Sequence, residues 1–315
     1  MTFAFVFPGQ GSQSVGMLNS LAAAEPLVGE TFAEASGVLG YDLWKLCQEG
    51  PEELLGATER TQPAMLTAGI ATWRVWRKHG GAMPVAMAGH SLGEYSALVA
   101  SSALDFRTAV ALVQFRGREM QAAVPAGQGA MAAILGVDDD VVVEACREAA
   151  RGDAVQAANF NSPGQVVIAG AAAAVDRAIE LVKAKGAKRA IKLPVSVPSH
   201  SPLMAPAALR LRERLQTTAF AKPDVRDVYT VDVRKQGDAE SIRQALVEQL
   251  VKPVRWTETI QAIIAGGARV IVECGPGRVL TGLNRRIERN KEIAMLAIED
   301  AESLQAAAQA CKESA

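Results

Sequence analysis

Val85-Ala86-Met87-Ala88-Gly89-His90-Ser91-Leu92-Gly93 decides the fold. A short apolar run, Val85 to Ala88, ends at a glycine, and a second glycine opens a stretch of helix formers from Leu92 to Ala103. Strand, tight turn and helix in that order make a nucleophile elbow. Glycines are needed on both sides because the turn is so tight that a Cβ there would clash, and the strain projects the Ser91 hydroxyl over the carboxyl end of the sheet.

The same punctuation recurs outward from this stretch. Phe3 to Phe7 is an apolar run stopped by Pro8-Gly9, and Arg269 to Cys274 stops at Gly275-Pro276-Gly277 before a helical stretch. A helix is expected over Thr61 to Lys78, with Thr61 as N-cap and Pro63 in its first turn. This alternation predicts an α/β fold, a mostly parallel sheet of the α/β-hydrolase type with helices on both faces. Between about Ala126 and Val197 the order changes. Strands are expected at Ala130 to Val137, Val155 to Phe160, Gln165 to Ala169 and Arg189 to Leu193, with helices at Asp139 to Arg151 and Ala173 to Lys185. The order β-α-β-β-α-β is that of a ferredoxin-like unit. The expected organisation is a large catalytic domain over 1–125 and 198–315 with a small subdomain, 126–197, inserted into it, and a ligand cleft between the two.

Composition narrows the function. The chain has 315 residues, 33 Lys+Arg against 34 Asp+Glu and a formal net charge of −1, which gives no global attraction to nucleic acid. The four cysteines, Cys47, Cys146, Cys274 and Cys311, lie far apart without a C-x-x-C pair, so neither a metal site nor a disulfide framework is expected, and a reducing cytoplasm fits best. The longest uncharged stretches, Met120 to Val137 and Ala154 to Val175, are broken by proline, glycine and asparagine, so no membrane span is expected. The N-terminus has no basic residue before its apolar run and lacks the layout of a secretory signal.

A serine hydroxyl needs a base, and the chain offers three histidines. His79, at an expected helix end, reads as a cap on carbonyls in solvent. His90 adjoins Ser91, and the elbow turns its ring toward packing or a pocket wall. His200 remains, in a loop stiffened by Pro198 and Pro202, where the alternative is a solvated loop histidine. No spacing selects a carboxylate to orient it, and a backbone carbonyl serves equally to fix its tautomer. Donors for a developing oxyanion are expected from the Leu92 amide at the helix start and from the loop Pro8 to Gln13, whose glycines admit close main chain. On the expected helix Phe106 to Val124, Ala109, Leu112, Val113 and Met120 form one face, and Arg116 falls in its middle. A guanidinium there requires an anion. Two partners stand open, an internal acid such as Glu119 or a substrate carboxylate held by paired charge-assisted bonds.

Phe7-Pro8-Gly9-Gln10-Gly11-Ser12-Gln13, Gly89-His90-Ser91-Leu92-Gly93-Glu94, Arg116-Gly117-Arg118-Glu119-Met120-Gln121, Asn159-Phe160-Asn161-Ser162-Pro163-Gly164-Gln165, Val197-Pro198-Ser199-His200, Gln249-Leu250 and Gly275-Pro276-Gly277 follow one another in this order. With these motifs the chain resembles the malonyl-CoA:acyl-carrier-protein transacylases of type II fatty acid synthesis nearly end to end. The resemblance implies Ser91 as the nucleophile that becomes a malonyl ester and His200 as its base. It further implies main chain at Gln10 and Leu92 as the oxyanion hole, Arg116 as the clamp on the malonyl carboxylate, and the carbonyl of Gln249 as the group that orients His200. Malonyl-CoA and acyl carrier protein are the implied partners, with no cofactor. Where polyketide acyltransferase domains carry His-Ala-Phe-His or Tyr-Ala-Ser-His, this chain has Val197-Pro198-Ser199-His200, the form of the discrete fatty-acid enzymes. An acidic carrier would meet basic residues, for which Lys185, Lys188, Arg189, Arg285, Arg286 and Arg289 are the candidates. The rival readings are a serine hydrolase of the α/β class, a polyketide acyltransferase and a non-catalytic carrier-binding scaffold.

Overall fold

The computed structural model describes residues 2–195 and 197–313; the expected domain limits at 1 and 315 fall outside them. Among these residues nine strands occur in chain order: β1 Thr2–Phe7, β2 Ala86–Gly89, β3 Gly129–Leu135, β4 Val155–Ser162, β5 Gln165–Ala171, β6 Arg189–Lys192, β7 Asp227–Tyr229, β8 Ala268–Cys274 and β9 Ala294–Ile298. They form a mixed α/β protein with two sheets, and the chain divides into two compact units.

The first unit, Met1–Gly117 with Thr218–Ile242 and Thr259–Ala315, holds a five-stranded sheet in the order β7-β2-β1-β8-β9, parallel throughout. β1 is central, and Phe3 to Phe7 are buried. A strand covered on both faces reads as a continuous apolar run, which is why this one was legible. Phe5 packs against Trp73 and Trp76, ring centroids 5.4 and 5.0 Å apart, and so docks the helix Thr58–Lys78 on the sheet. That helix starts earlier than expected. Its first amides bond to Ala57 O, and Thr61 lies inside it, its hydroxyl donating backward to Leu55 O at 2.6 Å and Ala57 O at 3.1 Å. A threonine satisfied by preceding carbonyls does not cap the amides ahead of it, so the N-cap is Ala57.

The second unit comprises Arg118–Thr217 and Arg243–Glu258. Its sheet runs β4-β5-β3-β6 with every neighbouring pair antiparallel, and the helices Asp139–Ala150 and Ala172–Ala184 follow β3 and β5. Alternation sorts the side chains. Ala130, Ala132 and Ile134 join Val166 and Ile168 against helix residues Val142, Ala145, Val175 and Val182, while Met131, Val167 and Ala169 belong to a separate cluster on the other face. The unit is wider than the expected 126–197 because the Phe160 amide donates to Val254 O and the Val254 amide to Ala158 O, both at 2.8 Å. These bonds join a segment some 90 residues away in sequence to β4 and its neighbourhood. Among the described residues no helix is long and apolar enough to cross a membrane.

Candidate active site

Ser91 stands between the end of β2 and the helix Gly93–Ala100 at φ 52, a left-handed angle for a residue with a Cβ. The close approach around it explains the flanking glycines. A Cβ on Gly89 would fall 1.8 Å from the carbonyl carbon of Gly93, and one on Gly93 would fall 2.0 Å from Phe7 O. The turn is closed by Gly93 N–H to His90 O, Glu94 N–H to Ser91 O and Tyr95 N–H to Leu92 O, each at 3.0 Å. Leu92 is buried at the helix N-terminus, where the helix dipole favours negative charge. The loop after β1 touches the same place. A Cβ on Gly9 would lie 2.4 Å from His90 O, so Gln10 follows directly on the contact between loop and elbow; its side chain lies 3.4 Å from Thr58 Oγ1.

Arg116 is buried on the helix Phe106–Ala122. Gly117 lets that helix lie against Thr58 and Glu59, since a Cβ there would be 2.8 Å from Thr58 O. The Arg116 guanidinium places Nη2 3.4 Å from Ser91 Oγ, at the outer edge of hydrogen-bond reach, and Cζ 5.5 Å from the centre of the Tyr95 ring. Burial pulls the Arg116 pKa below its ordinary value, opposed by Tyr95 and Glu94. Glu94 is itself buried and accepts a hydrogen bond from Gln236 Nε2. The cation and the serine hydroxyl are thus brought together.

In the second unit His200 is buried at φ 58. Its Nδ1 lies 2.7 Å from Gln249 O and 3.2 Å from Lys252 O, so the Nδ1 proton donates to main chain and Nε2 is the basic nitrogen. Gln249 ends the helix Ala239–Gln249, where carbonyls lack intrahelical partners. The end of that helix thus supplies main-chain acceptors that fix the orientation of the imidazole. Gln156 Nε2 donates to His200 O at 2.7 Å and to Val251 O at 3.2 Å, and Ser201 Oγ donates to Pro198 O at 2.6 Å.

The other histidine readings divide. His79 is the C-cap of the helix Thr58–Lys78, its amide donating to Val75 O at 3.1 Å, while its ring Nε2 meets Glu25 Oε1 at 2.5 Å, a carboxylate that also takes Lys78 Nζ. His90 keeps its place against Gly9. Gly275-Pro276-Gly277 is a turn leading into the helix Val279–Ile287. Beside it stands a buried acid that sequence reasoning missed. Glu273 accepts from the amides of Leu280 and Thr281 at 3.0 and 2.7 Å, and burial pushes its pKa up to about 7. Gln156 and Tyr95 were also missed. Of the six basic surface candidates all are exposed, but Lys185 is paired with Glu148 at 2.9 Å and Arg285 donates to Met295 O at 3.0 Å.

A parallel sheet with a serine on a strand-to-helix elbow, beside a buried arginine, belongs to a class that moves acyl groups. The acyl transferase domain family matches residues 4–305, and the chain belongs to that family. Its similarities are more particular. It is 59% identical over 285 residues to a malonyl CoA-acyl carrier protein transacylase of Salmonella typhimurium, covering 90% of this chain and 92% of that one. The solved malonyl CoA-acyl carrier protein transacylase of Coxiella burnetii is 50% identical, with a TM-score of 0.96 over 98% of this chain and 97% of that one. A malonyl-transacylase solved in complex with its type II PKS acyl-carrier protein is 54% identical, with a TM-score of 0.96 over 98% and 100% of the two chains.

Proposed function

We propose that this acyltransferase carries the malonyl group from malonyl-CoA to the phosphopantetheine thiol of acyl carrier protein in two half-reactions. Ser91 Oγ attacks the thioester carbonyl as its proton passes to His200 Nε2. The amides of Gln10 and Leu92 receive the oxyanion, and the C–S bond breaks as His200 returns the proton to the departing thiol. The carrier thiol then attacks the malonyl ester by the same steps in reverse. Arg116 binds the malonyl carboxylate throughout, and Gln249 O holds the tautomer of His200. The observation that carries this reading is Arg116 Nη2 at 3.4 Å from Ser91 Oγ, a buried cation placed where the free acid end of a short acyl group would lie. A simple serine hydrolase has no use for that cation.

The same reading assigns the first unit to the α/β-hydrolase-like architecture, supported by five parallel strands with the serine after β2. It assigns the β-α-β-β-α-β stretch at 126–197 to an inserted ferredoxin-like subdomain, supported by its strand order β4-β5-β3-β6. Four buried cysteines that form no disulfide fit a cytoplasmic protein. Lys185, Lys188, Arg189, Arg285, Arg286 and Arg289 are exposed and are the residues proposed to meet an acidic carrier, with affinity that falls as salt rises.

Intact-mass analysis after exposure to malonyl-CoA and then acetyl-CoA tests the centre of this proposal. The wild-type chain gains one malonyl group, Ser91→Ala gains none, and Arg116→Ala loses ~1.5–3 kcal/mol of malonyl recognition while its acetylation is spared. Free malonate released without transfer to carrier, or an unchanged malonyl-to-acetyl ratio in Arg116→Ala, overturns it.

A further inference from the structure

Tyr95 takes no part in the proposed transfer steps, yet it is fully buried one turn beyond Ser91. Its amide closes the elbow on Leu92 O at 3.0 Å, which fixes its backbone to the rigid element that carries the serine. The Arg116 guanidinium meets both residues of that element. Cζ stands 5.5 Å from the Tyr95 ring centre, within the ~6 Å over which an aromatic face attracts a cation, and Nη2 stands 3.4 Å from Ser91 Oγ. The ring is neutral, since burial holds the Tyr95 phenol protonated, well above its ordinary pKa. An aromatic face therefore steadies the guanidinium without adding a counter-charge, and the cation keeps its attraction for an incoming carboxylate.

We propose that Tyr95 is the positioning residue for Arg116: its ring face holds the guanidinium level with the Ser91 hydroxyl, and the preference for acyl groups ending in a carboxylate over neutral ones depends on it. The inference rests on the reading of Arg116 as the carboxylate clamp and names what aims that clamp.

The sequence contains three tyrosines, Tyr41, Tyr95 and Tyr229, so protein labelled with 3-fluorotyrosine gives three fluorine resonances, and Tyr95→Phe identifies one of them by its loss. Loading with malonyl-CoA moves the Tyr95 resonance, loading with acetyl-CoA leaves it in place, and Arg116→Ala moves it in the free protein. In kinetics, Tyr95→Phe keeps the ring and holds the malonyl-to-acetyl ratio of kcat/KM within ~3-fold, whereas Tyr95→Met lowers it ~5–30-fold. In an Arg116→Ala background Tyr95→Met has no further effect on the ratio. A Tyr95 resonance indifferent to malonyl and to Arg116→Ala overturns the inference, as does a Tyr95→Met effect that persists undiminished without the arginine. These outcomes leave the clamp standing; an Arg116→Ala enzyme with an unchanged ratio removes the clamp and this inference together. The fluorine measurement uses folded wild-type protein, so it decides the matter even where Tyr95→Met does not fold.

Discussion

Ser91 and His200 both hold a left-handed backbone angle, φ 52 and φ 58, but they are kept there by different means. Such an angle costs of the order of 1–3 kcal/mol in a residue with a Cβ, so each needs surroundings that over-determine it. At Ser91 the surroundings are main chain. Gly89 and Gly93 let one backbone press on another at distances that exclude a methyl group, and main-chain bonds close the turn. At His200 the surroundings include side-chain hydrogen bonds. Gln156 takes its carbonyl, Ser201 ties the residue after it to Pro198 O, and the carbonyl of Gln249 receives its ring. A serine fixed by close packing is broken by adding atoms; a histidine fixed by hydrogen bonds is loosened by removing them.

The comparison is broken most severely at the glycines. Gly89→Ala puts a methyl 1.8 Å from rigid backbone, and its loss of stability should exceed the ~1–3 kcal/mol of ordinary overpacking, read as little folded protein or a collapsed melting temperature. Removing the ring itself comes next: His200→Ala should slow acylation of Ser91 ~10²–10⁴-fold with the fold intact, measured by rapid-quench mass analysis, and near-normal rates would take the role away from this residue. Gln156→Ala leaves two carbonyls without their donor and should cost ~1–3 kcal/mol in chemical denaturation, with a moderate fall in acylation rate. Ser201→Ala removes one buried hydroxyl bond and should cost ~1 kcal/mol, with activity changed least of the four. If the serine turn tolerates a methyl while the histidine turn fails at Ser201→Ala, the contrast is drawn the wrong way round.

The same contrast explains what the sequence disclosed. The elbow was legible because its constraint is local. Gly89, Ser91 and Gly93 lie within five residues, and the central strand β1 announces itself as Phe3 to Phe7. Arg116 was legible from helical periodicity, which places a cation on an apolar face without saying what it meets. The supports of His200 were not legible from spacing, because Gln156 lies 44 residues before it and Gln249 lies 49 after it, and a glutamine reaching a carbonyl leaves no pattern in the intervening chain. His79 caps its helix as expected, but the partner of its ring was hidden for a similar reason, since Glu25 is 54 residues away. Thr61 failed locally: threonine suits the amides ahead of it or the carbonyls behind it, and composition does not distinguish the two.

The four cysteines bear on how such a protein lives among activated thiols. All are buried, and burial pushes Cys47, Cys146 and Cys311 up to about 12 and Cys274 well above its usual value. Thiols pushed up in this way stay protonated at neutral pH, and the thiolate is the form that exchanges with thioesters and disulfides. The chain therefore gives a passing coenzyme A ester no competing sulfur on which to strand its cargo. It also gives oxidised coenzyme A or glutathione no foothold for a mixed disulfide.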